Sequence, residues 1–386
     1  MSDARIYLDH AATTPLAADV LEAMQPFFAQ DGYNPSSIHA EGRRARAAID
    51  SARERIAAIL HCKPKEIIFT ASGTEADNMA IIGAARAARA RGKHVVATAI
   101  EHHAVLHAVR ALRDEGFEIT LLPVGADGVV DIATFTSALR DDTVLATVMY
   151  ANNEIGTIEP IAELARIARE RGVVFLTDAV QAAGTLDLDV TALGIDALAV
   201  SAHKFYGPKG VGALYVRDGI PIAPLIHGGG QERGRRAGTE NVSGAVGMAR
   251  ALELADGARA ATNERVARLR DALEAKVTAS TPNVHVNAKG VARLPGISSM
   301  SFAGVDAESL LIALDLAGVA ASAGSACAAG SLEASHVIAA LGGASSNGGT
   351  LRLSLGRGTT PEEIERVASL LAFLINSERE GAALSV

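Results

Sequence analysis

Short apolar runs rich in β-branched residues recur through the first half of the chain and alternate with longer stretches of helical periodicity. The runs are IIFTA from Ile67, HVVATAI from His94, ITLLPV from Ile119, VLATVMY from Val144, VVFLTDA from Val173, ALAVSA from Ala197 and VGALYV from Val211. Near-continuous apolar runs of this length predict strands buried on both faces. Between them EADNMAIIGAARAARARG, HAVLHAVRALRDEG and IAELARIARERG place apolar residues at helical spacing, and each closes on a glycine, the residue that most readily ends a helix. The alternation predicts an α/β fold: a mostly parallel seven-stranded sheet with helices on both faces.

The pattern changes after PIAPLIHGGGQERGRRAGTEN. A helical pattern then runs from about Val242 to Ser280, followed by ISSMSFAG, ESLLIALDLAG, the strand-like LRLSL and EEIERVASLLAFLI. At 386 residues two domains are expected. We assign a large α/β domain to residues 14–255, and a smaller α+β domain to residues 1–13 with 256–386.

Composition narrows the functional classes. Hydrophobic residues make up 49% and charged residues 21%, as in an ordinary globular protein, and the net charge of −8 carries no basic run of the kind that binds nucleic acid. Two cysteines, Cys62 and Cys327, stand in neither a metal-ligand nor a redox-pair spacing, and no histidine pair has an HExxH arrangement, so no metal site is expected. With no apparent leader or membrane span, the chain reads as cytoplasmic.

In open α/β sheets ligands bind beyond the carboxyl ends of the strands, so the residues there are read together. They are Ser72–Glu75, Glu101–His103, Asn152 and Asn153, Asp178 with Gln181, and His203 with Lys204. ASGTEADN can place Thr74 at a helix N-terminus as a phosphate site, or is a plain helix cap. Lys204 in SAHKFYGPKG can form a Schiff base with an aldehyde, or is a turn lysine. Asp178 at a strand end calls for a cationic partner such as a protonated ring nitrogen, unless it caps a helix or makes a salt bridge. Cys327, among small residues in VAASAGSACAAGSLEASHV, reads as a nucleophile on a mobile loop, or is a structural cysteine, and Cys62 reads as inert. Phosphate turn, lysine and acid together are what pyridoxal 5'-phosphate requires.

Those residues lie in a set of motifs that resembles the cysteine desulfurases of the nitrogen-fixation and iron–sulfur assembly type, class V aminotransferases of PLP fold type I. The motifs are YLDHAATTP from Tyr7, NPSSIHAEGR from Asn34, ASGTEADN from Ala71, EHHAV from Glu101, ANNEIGTIEP from Ala151, DAVQAAG from Asp178, SAHKFYGPKGVGALYVR from Ser201, HGGGQERGRRAGTENV from His227, SAGSACAAGSLEASHV from Ser322 and LRLSLGR from Leu351. The resemblance implies that Lys204 carries the cofactor, Asp178 its pyridine nitrogen and Gln181 its phenolate oxygen, with His102 stacked on the ring. It further implies Gly73, Thr74, Ser201 and His203 on the phosphate, helped by Thr239 of a second subunit in a homodimer, and Asn153 and Arg352 on the substrate carboxylate. Glu159 stands where a glutamine is common.

The implied activity converts L-cysteine to L-alanine with Lys204 as base, His102 aiding proton return and Cys327 taking the sulfur as a persulfide. The acceptor would be a partner such as an iron–sulfur scaffold protein, with Cys327 a transient iron–sulfur ligand. A selenocysteine lyase or an aminotransferase of the same fold would share the cofactor residues, and a non-catalytic docking protein would share the fold.

Overall fold

The computed structural model describes residues 5–324, 335–342 and 348–383. Twelve strands occur among them: β1 (Ile6–Tyr7), β2 (Ile67–Thr70), β3 (His94–Thr98), β4 (Glu118–Leu122), β5 (Thr143–Thr147), β6 (Val174–Asp178), β7 (Ala197–Ser201), β8 (Gly212–Val216), β9 (Val284–Val286), β10 (Ile297–Ala303), β11 (Val319–Ala320) and β12 (Gly348–Ser354). The principal helices are α1 (Ala18–Met24), α2 (Ala40–Ile59), α3 (Gly73–Ala87), α4 (His103–Asp114), α5 (Ile132–Ala138), α6 (Ile161–Glu170), α7 (Val190–Leu193), α8 (Val242–Ser280), α9 (Ala307–Leu316), α10 (His336–Leu341) and α11 (Pro361–Ala383).

All seven predicted strands pair in one sheet, in the order β2-β8-β7-β6-β5-β3-β4. Only β8 runs against its neighbours, β2 and β7; the others share one direction. The carboxyl ends of β2, β3, β5, β6 and β7 therefore open at a single edge, and the loops that follow them meet there. Strands β2, β3, β5, β7 and β8 are buried throughout, which explains their uninterrupted apolar sequence; β4, at the edge, is partly exposed.

The sheet carries one apolar core on each face. A separate core joins β1, the far half of α8, β10, β12 and α11. Helix α8 bridges the two regions: Val242–Leu252 packs near the large sheet, and Val266, Leu269, Leu273 and Val277 pack in the separate core. Here β12, β10 and β9 form an antiparallel sheet, while β1 pairs with β11. One expected boundary differs: α3 ends at Ala87 rather than running to Gly92. A Cβ on Gly92 would sit 2.1 Å from the Asp142 carbonyl oxygen, so that glycine serves a close backbone approach instead of a helix end.

The glycine- and arginine-rich segment before α8 is pinned by ion pairs. Glu232 meets Arg53 of α2 at 2.7 and 2.8 Å in a fully buried fork, Arg236 meets Glu75 of α3 at 2.7 Å, and Glu240 meets Arg46 at 2.6 Å. Removing one member of a buried pair strands the other's charge. Glu232→Ala is therefore expected to lower unfolding free energy by about 3–5 kcal/mol, seen as an earlier urea midpoint; an unchanged midpoint would contradict this account of the segment.

Candidate active site

A cavity of about 230 Å³ opens at the common strand edge. Its wall contains Gly73, Thr74, His102, Asn153, Asp178, Gln181, Ser201, His203, Lys204 and Arg352, so most strand-end residues singled out in the sequence converge on one space, while Glu75, Glu101, His103 and Asn152 do not line it.

The N-terminus of α3 forms one end. Ser72 is its N-cap, accepting a hydrogen bond from the Glu75 backbone N–H at 3.1 Å, and Gly73 is already helical. A Cβ on Gly73 would lie 2.7 Å from Val180 Cγ2 and 3.3 Å from Ser201 Cβ, so glycine lets the helix end press onto the sheet. The free N–H groups and positive helix end suit an anion there, with Thr74, Ser201 and His203 alongside.

Lys204 follows β7 in a single 3₁₀ turn. Its ammonium donates to the carbonyls of Ala11 and Ala12 at 2.5 and 2.9 Å. Gln181 Nε2 donates to the same Ala11 carbonyl at 2.9 Å. The YLDHAATTP segment thus holds both side chains through backbone acceptors, a role that its side chains could not announce.

Asp178 closes β6, buried, with Oδ1 accepting from Val180 N–H at 2.8 Å. Burial raises its carboxyl to about 6, against the lowering influence of that bond and of Lys204. His102 caps α4: Nδ1 accepts the Ala104 N–H at 3.1 Å, which places the ring proton on Nε2. Burial first, and Lys204 second, depress His102 to about 4, so the ring is neutral at neutral pH. His203 is likewise held at about 4, mainly by burial, with Nδ1 3.1 Å from Thr13 Oγ1.

Arg352, on β12, is almost wholly buried. Its guanidinium donates to Asp9 Oδ1 and to the Asn153 carbonyl, each at 2.9 Å, while Nε has no partner among the described residues. Among the described residues two of its five N–H donors are engaged, and the guanidinium stands on the cavity wall where an anionic group could meet it. The sequence reading missed Asp9 as the partner that aligns this arginine.

It also missed Asp77. On α3 the positions Gly73, Ala76, Asp77, Ala80, Ile81 and Ala84 follow the spacing of the buried stripe. A carboxylate at an apolar position was the available signal. Asp77 is buried on the cavity wall, Oδ1 lacks a partner among the described residues, and burial with the charges of Asp178 and Glu101 pushes its carboxyl well above the usual range. Glu101, bonded to Thr98 Oγ1 and Met149 N–H, is raised by burial to about 8. Glu159, also buried, accepts from Val130 N–H at 3.0 Å and is raised to about 7.

A carboxyl raised on folding stabilises the native state below its unfolded pKa and loses that advantage as pH rises toward the folded one. The contribution of these raised carboxyls to the stability of the cofactor-free chain should thus fall from about pH 4 towards pH 8, the range bracketed by unperturbed carboxyls and Glu101, while the depressed His102 and His203 contribute in the opposite sense over the lower part of that range. Asp77→Asn cannot ionise, so its profile should lack one falling contribution and differ in slope from the parent's by up to about 1.4 kcal/mol per pH unit. Parallel stability profiles for variant and parent would show Asp77 to be ionised in the folded chain.

Two predicted residues are not placed on the cavity. Thr239 is exposed, on the segment leading into α8. Cys327 lies outside the described residues. The described residues that flank the segment containing Cys327, Gly324 and Ser335, stand beside Glu154, next to the wall residue Asn153.

Known proteins resemble this chain along nearly its whole length. A cysteine desulfurase IscS of Dictyoglomus turgidum is 50% identical over 97% of this chain and 95% of its own length. A cysteine desulfurase IscS of Methanosarcina thermophila is 46% identical over 98% and 94%. Among solved structures, a NifS-like protein superposes with a TM-score of 0.90 at 35% identity, covering 96% of this chain and 99% of its own. SspA, solved in complex with cysteine, gives 0.80 at 36% identity, covering 92% and 100%. The aminotransferase class-V profile matches residues 6–367, spanning every strand and the cavity they enclose, and this chain belongs to that family.

Proposed function

We propose that this chain is a cysteine desulfurase that uses pyridoxal 5'-phosphate and passes sulfur through Cys327. The observation that carries the reading is the convergence of Lys204, Asp178, His102 and the α3 N-terminus on one cavity. The named relatives supply the substrate class.

The wall fits the cofactor. Gly73 leaves room at a helix end suited to phosphate, with Thr74, Ser201 and His203 beside it. Asp178 is a buried carboxyl beside the cavity that a protonated ring nitrogen would keep ionised, and the second N–H of the Gln181 amide can meet a phenolate. Lys204 is the amine for the aldehyde, and His102 a flat neutral ring to stack on. A Thr239 from the other subunit of a homodimer completes the phosphate set in this reading. The cofactor, when bound, supplies an electron sink that acidifies the substrate Cα.

The chain's own groups do the rest. Arg352, aligned by Asp9, and Asn153 fix the substrate carboxylate. The Lys204 amine would take the proton from the substrate Cα. Cys327, as thiolate, bonds to the substrate sulfur; the Cβ–S bond breaks with its electron pair left on carbon. His102, through Nε2–H, and Lys204 return protons to the carbon skeleton. The sum balances: L-cysteine and a Cys327 thiol become L-alanine and a Cys327 persulfide. The acceptor in this proposal is a sulfur-carrying or iron–sulfur scaffold protein.

With L-cysteine and dithiothreitol, the cofactor-loaded protein should release alanine and sulfide in equal amounts. Pyruvate in place of alanine would point to elimination, and amino-group transfer to a keto acid would point to an aminotransferase; either would overturn the reading.

A further inference from the structure

The Glu75–Arg236 ion pair stands at the end of α3 assigned to the phosphate, and it has no part in the chemistry above. Glu75 is the third residue of the helix, and its carboxylate folds back over the turn that starts it. Oε2 accepts the Ala71 N–H at 2.7 Å, while the Glu75 N–H is bound to Ser72 Oγ at 3.1 Å. Ser72, Gly73 and Thr74 of the same turn line the cavity. A carboxylate so placed meets the positive helix end from within the chain, and by the same charge it opposes any anion brought there.

Arg236 answers that charge. Its Nε donates to Glu75 Oε1 at 2.7 Å and its Nη2 to Oε2 at 3.1 Å, a fork whose side chains are only 19% and 18% exposed and so are weakly screened by salt. The segment that carries Arg236 is held on either side by the Arg53–Glu232 and Arg46–Glu240 pairs, so its anchoring does not depend on Arg236 alone. The side chains beside the helix end leave the phosphate charge to the backbone: Thr74 and Ser201 are uncharged, and burial holds His203 at about 4, neutral at neutral pH. Asp77 and Asp178 are acids on the same wall, and Lys204 is assigned to the aldehyde.

We propose that Arg236 is a positioning residue for the cofactor phosphate, acting through Glu75: by cancelling that carboxylate it leaves the α3 N–H groups and helix dipole free to hold a phosphate. The inference rests on the pyridoxal 5'-phosphate reading. A phosphate ester carries about two negative charges at neutral pH, so an uncompensated carboxylate on its binding turn bears on it strongly.

The two partners of the pair should therefore respond with opposite signs. Arg236→Gln keeps an N–H for Glu75 but loses the charge, and the dissociation constant of the cofactor-free protein for pyridoxal 5'-phosphate should rise roughly 10-fold. Pyridoxal, which lacks the phosphate, should bind this variant and the parent within about twofold of each other. Glu75→Gln breaks the same ion pair yet leaves the cation, so it should bind pyridoxal 5'-phosphate at least as tightly as the parent. Combining the two substitutions should recover most of the loss, and Arg236→Lys, which retains the charge, should stay near the parent.

Unchanged affinity in Arg236→Gln would overturn the inference. So would equal losses in Arg236→Gln and Glu75→Gln, the mark of a structural anchor, or an equal loss for pyridoxal. If the parent binds no pyridoxal 5'-phosphate, the cofactor reading fails by itself. Inorganic phosphate still tests Arg236 in that case: it should raise the thermal midpoint of the cofactor-free parent and of Glu75→Gln more than that of Arg236→Gln, and equal shifts in all three would refute the role.

Discussion

Lys204→Ala is expected to depress sulfide release from L-cysteine by about 10⁴-fold, the upper end of what a positioned proton-transfer group contributes. The side chain serves twice in this account, as the amine that holds the cofactor and as the base at Cα. Its ammonium now rests on the Ala11 and Ala12 carbonyls at 2.5 and 2.9 Å, within the cavity and beside Gln181. Borohydride treatment of the parent should fix the cofactor on the peptide containing Lys204, and the variant should carry no such label. Lys204→Arg should not rescue activity, because a guanidinium stays protonated and forms no comparable linkage. Label at another lysine, or near-parent activity in Lys204→Ala, would remove this residue from the centre of the mechanism.

Cys327→Ala should cost about 10³-fold in alanine formation, on the order of 4 kcal/mol of barrier, while cysteine still produces its spectral change. The defect then lies after binding, in sulfur abstraction. Cys62→Ala should behave as the parent. Cys62 is half-buried just past the C-terminal end of α2, packed against the large core, and burial pushes its thiol up to about 12, so almost no thiolate exists at neutral pH. Equal losses in the two variants, measured as alanine per site, would contradict the separate roles.

The large sheet was legible because its signal is local. Strands buried on both faces must be apolar along their length, and each of the seven runs became one strand. The span of α8, Val242–Ser280, was legible for a similar reason, its pattern being unbroken. Most cavity residues followed from the single edge at which parallel strands end, whereas Arg352, on β12 of the other sheet, followed only from the family resemblance. What stayed hidden depends on partners distant in sequence or on backbone atoms. Arg53 and Glu232 are far apart, and nothing in either neighbourhood announces the other. The Ala11 and Ala12 carbonyls carry no side-chain signature. Asp9 and Arg352 meet only because the start of the chain lies beside β12, where Asp9 and Ser354 form a bridge. Asp77 was the exception, a charged residue in an apolar stripe whose meaning needed only the helical period.

The central claim is that sulfur leaves cysteine onto this chain's own thiol. Cofactor-loaded protein mixed with about one equivalent of L-cysteine, without reductant, then quenched, alkylated and digested, reports it by mass spectrometry. The account predicts one alanine formed per persulfide, with the additional sulfur on the Cys327 peptide and none on the Cys62 peptide. Alanine accompanied by free sulfide, with both cysteine peptides unmodified, would contradict it.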